Sequence, residues 1–290
     1  MFEKIIVASE MMKGEHQLIK SLGELRALGA RNCLLLQCLD RIEVQAQISS
    51  YVKEIYDNLL TRQKQRLEES GYVVETRIVS GDMKKEILRL AEQEDYDLIV
   101  AASAVLSASA ELFFGGVAHD VIHRSSKPVL LIRIVESPDG LPSMDDRKKR
   151  ITEHILFPTD FSDNAALAFE TVKEMVRAGV NKVTLVHVQD QTKIKPHLED
   201  RLAEFNEKDT QRLNALKDEL QKITEVDVDV NLIFGSPSAE LIKLIDEQKI
   251  PLVVMGSQGR GFVHDLFLGS VSHNIARNSS ASVILIPALR

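Results

Sequence analysis

The chain predicts an α/β protein of two tandem domains, each a five-stranded parallel sheet with helices on both faces. Three observations predict it. The chain repeats itself, strands and helices alternate within each copy, and the strand candidates are short runs of Val, Ile and Leu, as in parallel strands covered on both faces. Displaced by 154 residues, Val100 through Arg133 falls on Val254 through Pro287. Leu112-Phe113-Phe114-Gly115 meets Leu266-Phe267-Leu268-Gly269, His119 meets His273, Ser125-Ser126 meets Ser279-Ser280, and Val129-Leu130-Leu131-Ile132 meets Val283-Ile284-Leu285-Ile286. Upstream, Gly81 falls on Gly235 and, with a small shift, Lys4 through Glu10 corresponds to His154 through Asp160. A unit of roughly 140 residues is a whole domain, not a solenoid turn.

In the first copy, domain 1–135, apolar runs place strands near 3–8, 32–38, 73–79, 97–102 and 128–134, with a long helix around 42–69 and shorter ones between. Residues 136–150 carry Pro138, Gly140 and Pro142 without periodic apolar residues, so they read as an exposed linker. In the second copy, domain 151–290, strands fall near 154–158, 182–188, 227–234, 251–256 and 282–287. Helices fall near 163–178, 197–222, 237–248 and 269–279, and Leu213, Leu216 and Leu220 recur at helical spacing along the second of these, opposite a solvated face of Lys, Asp and Glu. The connections make right-handed crossovers.

Composition narrows the function. With 44% apolar and 27% charged residues among 290, the chain is globular and long enough for two cores. A net charge of -7, with Lys and Arg scattered among acids, opposes a nucleic-acid groove, which needs clustered cations. No apolar run reaches the roughly 20 residues that cross a bilayer, and Met1-Phe2-Glu3-Lys4-Ile5 enters a strand directly, so no membrane partner and a cytoplasmic location are expected. Cys33 and Cys38, five residues apart on one strand, fit neither a redox pair nor a zinc site and read as small buried residues.

The chemistry concentrates in Val254-Met255-Gly256-Ser257-Gln258-Gly259-Arg260-Gly261 and the later Gly269-Ser270. A strand runs into a glycine-rich loop that returns to Gly-Ser at a helix start. Backbone N–H groups at such a turn and at a helix N-terminus are donors for phosphate, and glycine lets the main chain come close. Two glycines alone equally describe an ordinary strand-to-helix loop; four matched positions at both spacings favour the cradle. There is no G-x-x-x-x-G-K-[ST], and Gly259-Arg260-Gly261-Phe262-Val263-His264 lacks the third glycine of a dinucleotide fingerprint. His187 lies inside a strand and reads as packed, and His264 and Asp265 lie in the loop with no Ser or Cys placed as a nucleophile.

The spacing Gly256-x-x-Gly259, nine residues, Gly269-Ser270 resembles the nucleotide motif of the ATP-binding universal stress proteins. With Pro158-Thr159-Asp160 opening the second copy and the element order, the resemblance covers both copies nearly end to end. It implies flavodoxin-like (adenine nucleotide alpha hydrolase-like) domains, and a ligand held where strands one and four of the second copy end, at Asp160 and Gly256. The ligand it implies is ATP, ADP or AMP, held in a stress-response or signalling role. Gly256, Ser257 and Gly259 would line ribose and phosphates; Gly269 and Ser270, with Val271 and Ser272 continuing the turn, would close over the phosphates at the helix start. Pro158, Thr159 and Met255 flank these positions and join the same set. The backbone of Val188 would face adenine. Asp160 would meet a sugar hydroxyl or hold Mg or Mn with the phosphates; its alternative is the N-cap of the helix starting near Asp163. Arg260 reaches a terminal phosphate or stays in solvent.

The first copy departs from this pattern: Gly256 becomes Ala102, Gly259 becomes Val105, Ser270 becomes Gly116 and Asp160 becomes Glu10. Val105 brings a β-branched side chain where the backbone should approach phosphate, and positive φ is costly for it, so the first copy is expected empty or altered. Three functions stay in view: nucleotide binding without efficient turnover, a slow ATPase or nucleotidyl transferase, and a nucleotide-free interaction module with an unidentified protein partner. The apolar final strands of the two copies are expected at sheet edges. The resemblance implies that they pair, making one chain a pseudo-dimer, with a homodimer of chains also open.

Overall fold

The computed structural model of the chain describes residues 1–8, 15–39, 49–105, 117–135, 150–190, 201–259 and 268–289. The chain divides into two units, Met1–Met144 and Asp145–Arg290. The first contains β1 (Lys4–Ala8), α1 (Glu15–Leu25), β2 (Asn32–Leu39), α2 (Ser49–Glu69), β3 (Val73–Ser80), α3 (Met83–Gln93), β4 (Leu98–Val105), α4 (Val117–Arg124) and β5 (Val129–Val135). The second contains β6 (Ile155–Pro158), α5 (Asp163–Arg177), β7 (Lys182–Gln189), α6 (Leu202–Gln221), β8 (Asp227–Phe234), α7 (Pro237–Gln248), β9 (Leu252–Gly256), α8 (Ser270–Asn278) and β10 (Ser282–Ile286).

Within the first unit the strand order is β3-β2-β1-β4-β5, and within the second it is β8-β7-β6-β9-β10, every pair parallel. Parallel neighbours need a crossover, and each crossover here is a helix whose apolar stripe covers the sheet. The central strands are apolar throughout because both faces are covered: Ile5, Ile6 and Val7 in β1 and Ile155, Leu156 and Phe157 in β6 have no exposed surface. The ring of Phe157 lies 5.3 Å from that of Phe169 on α5, and Val172, Met175 and Val176 continue that buried stripe. Truncating a fully buried Phe of this kind costs about 3–5 kcal/mol.

Along α6, Leu213 and Leu220 are fully buried and Leu216 is half-buried, as the spacing predicts. Cys33 and Cys38 are both buried in β2 as thiols, not joined in a disulfide. Among the described residues no helix is long and apolar enough to cross a membrane. Strand order reverses direction between β6 and β9, so the carboxyl ends of these two strands open the crevice in which ligands of open α/β sheets lie. All but one of the expected site residues fall within the described part of the second unit.

Candidate functional site

The first wall of the site is the exit of β6. The N–H of Thr159 donates to Val186 O at 2.9 Å, carrying the pairing with β7 one residue past Pro158. The chain then turns at Phe161, whose φ of +59° is a left-handed conformation that a bulky side chain adopts at a cost of about 1–3 kcal/mol. Local contacts hold it. Phe161 N–H donates to Thr159 Oγ1 at 3.0 Å, Ser162 N–H donates to Asp160 Oδ1 at 3.0 Å, and the Phe161 ring stands 4.9 Å from the ring of His187 and 5.1 Å from the guanidinium of Arg212. The N-cap of α5 is Ser162, whose Oγ accepts the N–H of Ala165 at 3.2 Å. The capping role open to Asp160 is thereby corrected: it lies two residues too early and braces the turn instead.

The second wall is the exit of β9. Ser257 N–H donates to Ile286 O at 2.8 Å, and Gln258 N–H donates to Asn164 Oδ1 at 2.8 Å. Asn164 in turn donates from Nδ2 to Ile286 O at 3.1 Å. On the far side, Ser257 O accepts both Gly269 N–H at 2.7 Å and Ser272 Oγ–H at 2.6 Å. Gly256 to Gly259 is therefore stapled to α5, to β10 and to the start of α8. The first-turn N–H groups of α8, from Ser270, Val271 and Ser272, find no acceptor inside the helix by the geometry of any α-helix.

The two loop glycines are needed for space. A Cβ on Gly256 would stand 2.7 Å from Asn164 Oδ1, and one on Gly259 would stand 2.7 Å from Asp160 Oδ2. Neither is among the residues with positive φ, so the expectation that the loop demands a left-handed glycine gives way to close approach of side chains. Both roles need the same residue, which is why sequence alone does not separate them.

Asp160 thus meets Gly259 across the crevice, and Gly269 and Ser272 join Ser257 by hydrogen bonds. Ser270 and Val271 lie in the same helical turn as Ser272, and Met255 is buried just behind Gly256. Val188 is half-buried near the end of β7, two residues beyond Val186, the register partner of Pro158. Arg260, His264 and Asp265 lie outside the described residues, as do Glu10, Gly116 and nearly all of the 136–150 linker. Among the described residues no group of three or more His, Cys, Asp and Glu side chains could hold a metal ion.

Three features escape the sequence. Asn164 is one. Phe161 is the second. The third is a polar cluster behind the Phe161 ring: His187 Nδ1 lies 2.6 Å from Thr159 O, which can only accept, while Nε2 lies 3.5 Å from Asp209 Oδ2, and Gln189 Nε2 donates to that same oxygen at 2.8 Å. His187 is packed, as expected, but its contact is with the backbone of the residue before Asp160. In the first unit, β4 continues beyond the counterpart of Gly256: Ser103, Ala104 and Val105 still pair with Arg133, Ile134 and Val135. The chain there runs on as strand where the second unit turns away to make its loop.

A family model described as the universal stress protein family matches residues 1–133 and 152–287. The universal stress protein MJ0577 of Methanocaldococcus jannaschii is 28% identical over 150 residues, which are 46% of this chain and 93% of that protein. The universal stress protein YxiE of Bacillus subtilis is 33% identical over 87 residues, 30% of this chain and 59% of its own. A crystal structure of a universal stress protein from Archaeoglobus fulgidus covers 98% of this chain and 96% of its own with a TM-score of 0.72; at 21% identity this likeness concerns the fold.

Proposed function

The chain belongs to the universal stress protein family, and from that premise we propose that its C-terminal domain, residues 151–290, binds an adenine nucleotide, ATP, ADP or AMP, without efficient turnover. The N-terminal domain, residues 1–135, is its nucleotide-free counterpart, and the whole acts in a cytoplasmic stress response or signalling role. One observation carries the reading: the Gly256–Gly259 backbone is bonded directly to the start of α8 through Ser257 O, so the loop and the open N–H groups of a helix N-terminus share one rim at the topological switch point. That rim supplies fixed donors for an anion and no bulk at Gly259.

The residues fit such a ligand. The first-turn N–H groups of Ser270, Val271 and Ser272 would bind phosphate oxygens. Ser257 and Gly259 would border ribose and phosphates, and Asp160 would take a ribose hydroxyl or a Mg or Mn ion shared with the phosphates. The inward use of Gly269 N–H and Ser272 Oγ gives these two groups a supporting part, fixing the rim, while the Ser272 N–H would stay with the ligand. Against binding in the N-terminal domain stands the continuation of β4 through Val105, which leaves no glycine loop at that position.

The test is release of bound ligand. The purified chain is denatured and the supernatant chromatographed, with the dissociation constant for ATP measured on the ligand-free protein. Recovered adenine nucleotide, or saturable ATP binding, is the expected result. Failure of both removes the reading and leaves the nucleotide-free interaction module; recovered ADP with a steady release of phosphate would favour the slow ATPase.

A further inference from the structure

The residue that shapes the glycine-rich loop is not in it. Asn164 stands in the first turn of α5 and is 6% exposed. Both ends of its amide are engaged, Nδ2 with Ile286 O and Oδ1 with Gln258 N–H. Ser257 N–H still bonds Ile286 O as the β9–β10 ladder requires, whereas Gln258 N–H, which the alternation of a parallel ladder turns away from β10, is taken by Asn164, and there the backbone leaves the sheet. The position is also exclusive, because the Cβ absent from Gly256 would stand 2.7 Å from Asn164 Oδ1 and 2.9 Å from its Cγ. Amide and glycine form one steric unit.

The first domain has exchanged both members. At the 150-residue offset that sets Glu10 on Asp160, the sequence places Gly14 where Asn164 stands, and at the 154-residue offset it places Ala102 where Gly256 stands. In sequence, the side chain has moved from the position of Asn164 to the position of Gly256. In that domain β4 does run on, paired through Val105.

We infer that Asn164 is a positioning residue of the nucleotide site: its buried amide draws Gln258 and Gly259 off the strand direction and sets Gly259 against Asp160. The paired exchange of Asn164 and Gly256 for Gly14 and Ala102 is then a determinant separating the binding domain from its altered copy. This rests on the nucleotide reading of the C-terminal domain. It adds a residue outside the glycine spacing.

The experiment uses the full chain carrying Asn164→Gly with Gly256→Ala, the pair found in the first copy, which relieves the steric conflict while removing the amide. Titration calorimetry is run with ATP and with adenosine, and hydrogen exchange is followed over Ser257–Gly259 without ligand. The expected result is a folded protein in which ATP affinity falls at least about tenfold, adenosine affinity falls by less because only its ribose meets the loop, and exchange at Gln258 quickens. Asn164→Asp keeps an acceptor for Gln258 N–H and loses the donor to Ile286 O; it should retain part of the ATP affinity, and it carries the test if the double variant does not fold. Unchanged ATP affinity with a still protected loop overturns the inference. So does an equal loss for ATP and adenosine accompanied by a lower Tm, which marks a merely structural role. Absence of ATP binding by the wild-type chain overturns the nucleotide reading, and this inference with it, whereas quickened exchange with intact ATP binding overturns the inference alone.

Discussion

Gly259 and Asp160 occupy one place between them: the Cβ that Gly259 lacks would stand 2.7 Å from Asp160 Oδ2. Real Cβ atoms do not come so close to an oxygen, so one of the two would have to move. The two residues belong to loops after different strands, β9 and β6, and the contact fixes how wide the crevice is at its switch point.

Gly259→Ala should therefore lower stability even without ligand, by about 1–3 kcal/mol for overpacking. Asp160→Ala, combined with it, should restore most of that loss. Thermal unfolding of the four proteins in the cycle measures the coupling. Additive effects would mean that the two loops do not meet.

Asp160→Asn is nearly isosteric and keeps an oxygen to accept Ser162 N–H. If the carboxylate holds a divalent ion with the phosphates, ATP binding should weaken at least about tenfold in Mg or Mn and change little in chelator, while AMP binding stays near wild type. An equal loss for both nucleotides would assign the carboxylate to a ribose hydroxyl.

Equilibrium dialysis with ATP should saturate near one nucleotide per chain. Val105→Gly alone should not raise that number, because Val105 lies in a paired strand, opposite Val135, and Ala102 remains behind it. A stoichiometry of two in the unmodified chain would show that the first domain binds after all.

Burial pushes the Cys33 thiol from 9.0 up to about 12. The sign follows from linkage. The folded state favours the neutral thiol, so the stability tied to it is fully present below about pH 9 and is lost as pH rises from there through 12. Cys33→Ala should narrow its Tm deficit against wild type between pH 8 and pH 11, and the native thiol should resist thiol reagents at pH 8 until denaturant is added. Rapid labelling of Cys33 in the native chain would contradict its burial.

Much of the fold was legible because it is written in local periodicity. The apolar runs at 227–234 and 182–188 and the leucines at 213 and 220 are strand and helix signals whatever surrounds them, and the duplication doubled each signal. The crevice was legible through glycines at fixed spacing. What did not show was anything depending on three-dimensional partners. Asn164 in a first helical turn reads as an ordinary polar residue until the end of β10 is seen to lie beside it. Asp209 and His187 are separated by the whole β7–α6 connection, and only the sheet brings them to Thr159 and the ring of Phe161. Asp160 and Ser162 both satisfy the N-cap rule in the sequence, and only the hydrogen bond from Ala165 N–H to Ser162 Oγ decides between them.

The carbonyl of Ser257, with two donors already on it, has a consequence for the free energy of binding. This edge of the crevice surrenders its conformational entropy when the chain folds, so an arriving anion meets a rigid wall and owes no ordering cost there. Ser272→Ala, which deletes one donor, would shift that cost onto the encounter: the fraction of molecules ready to bind would drop, and apparent affinity would drop in proportion.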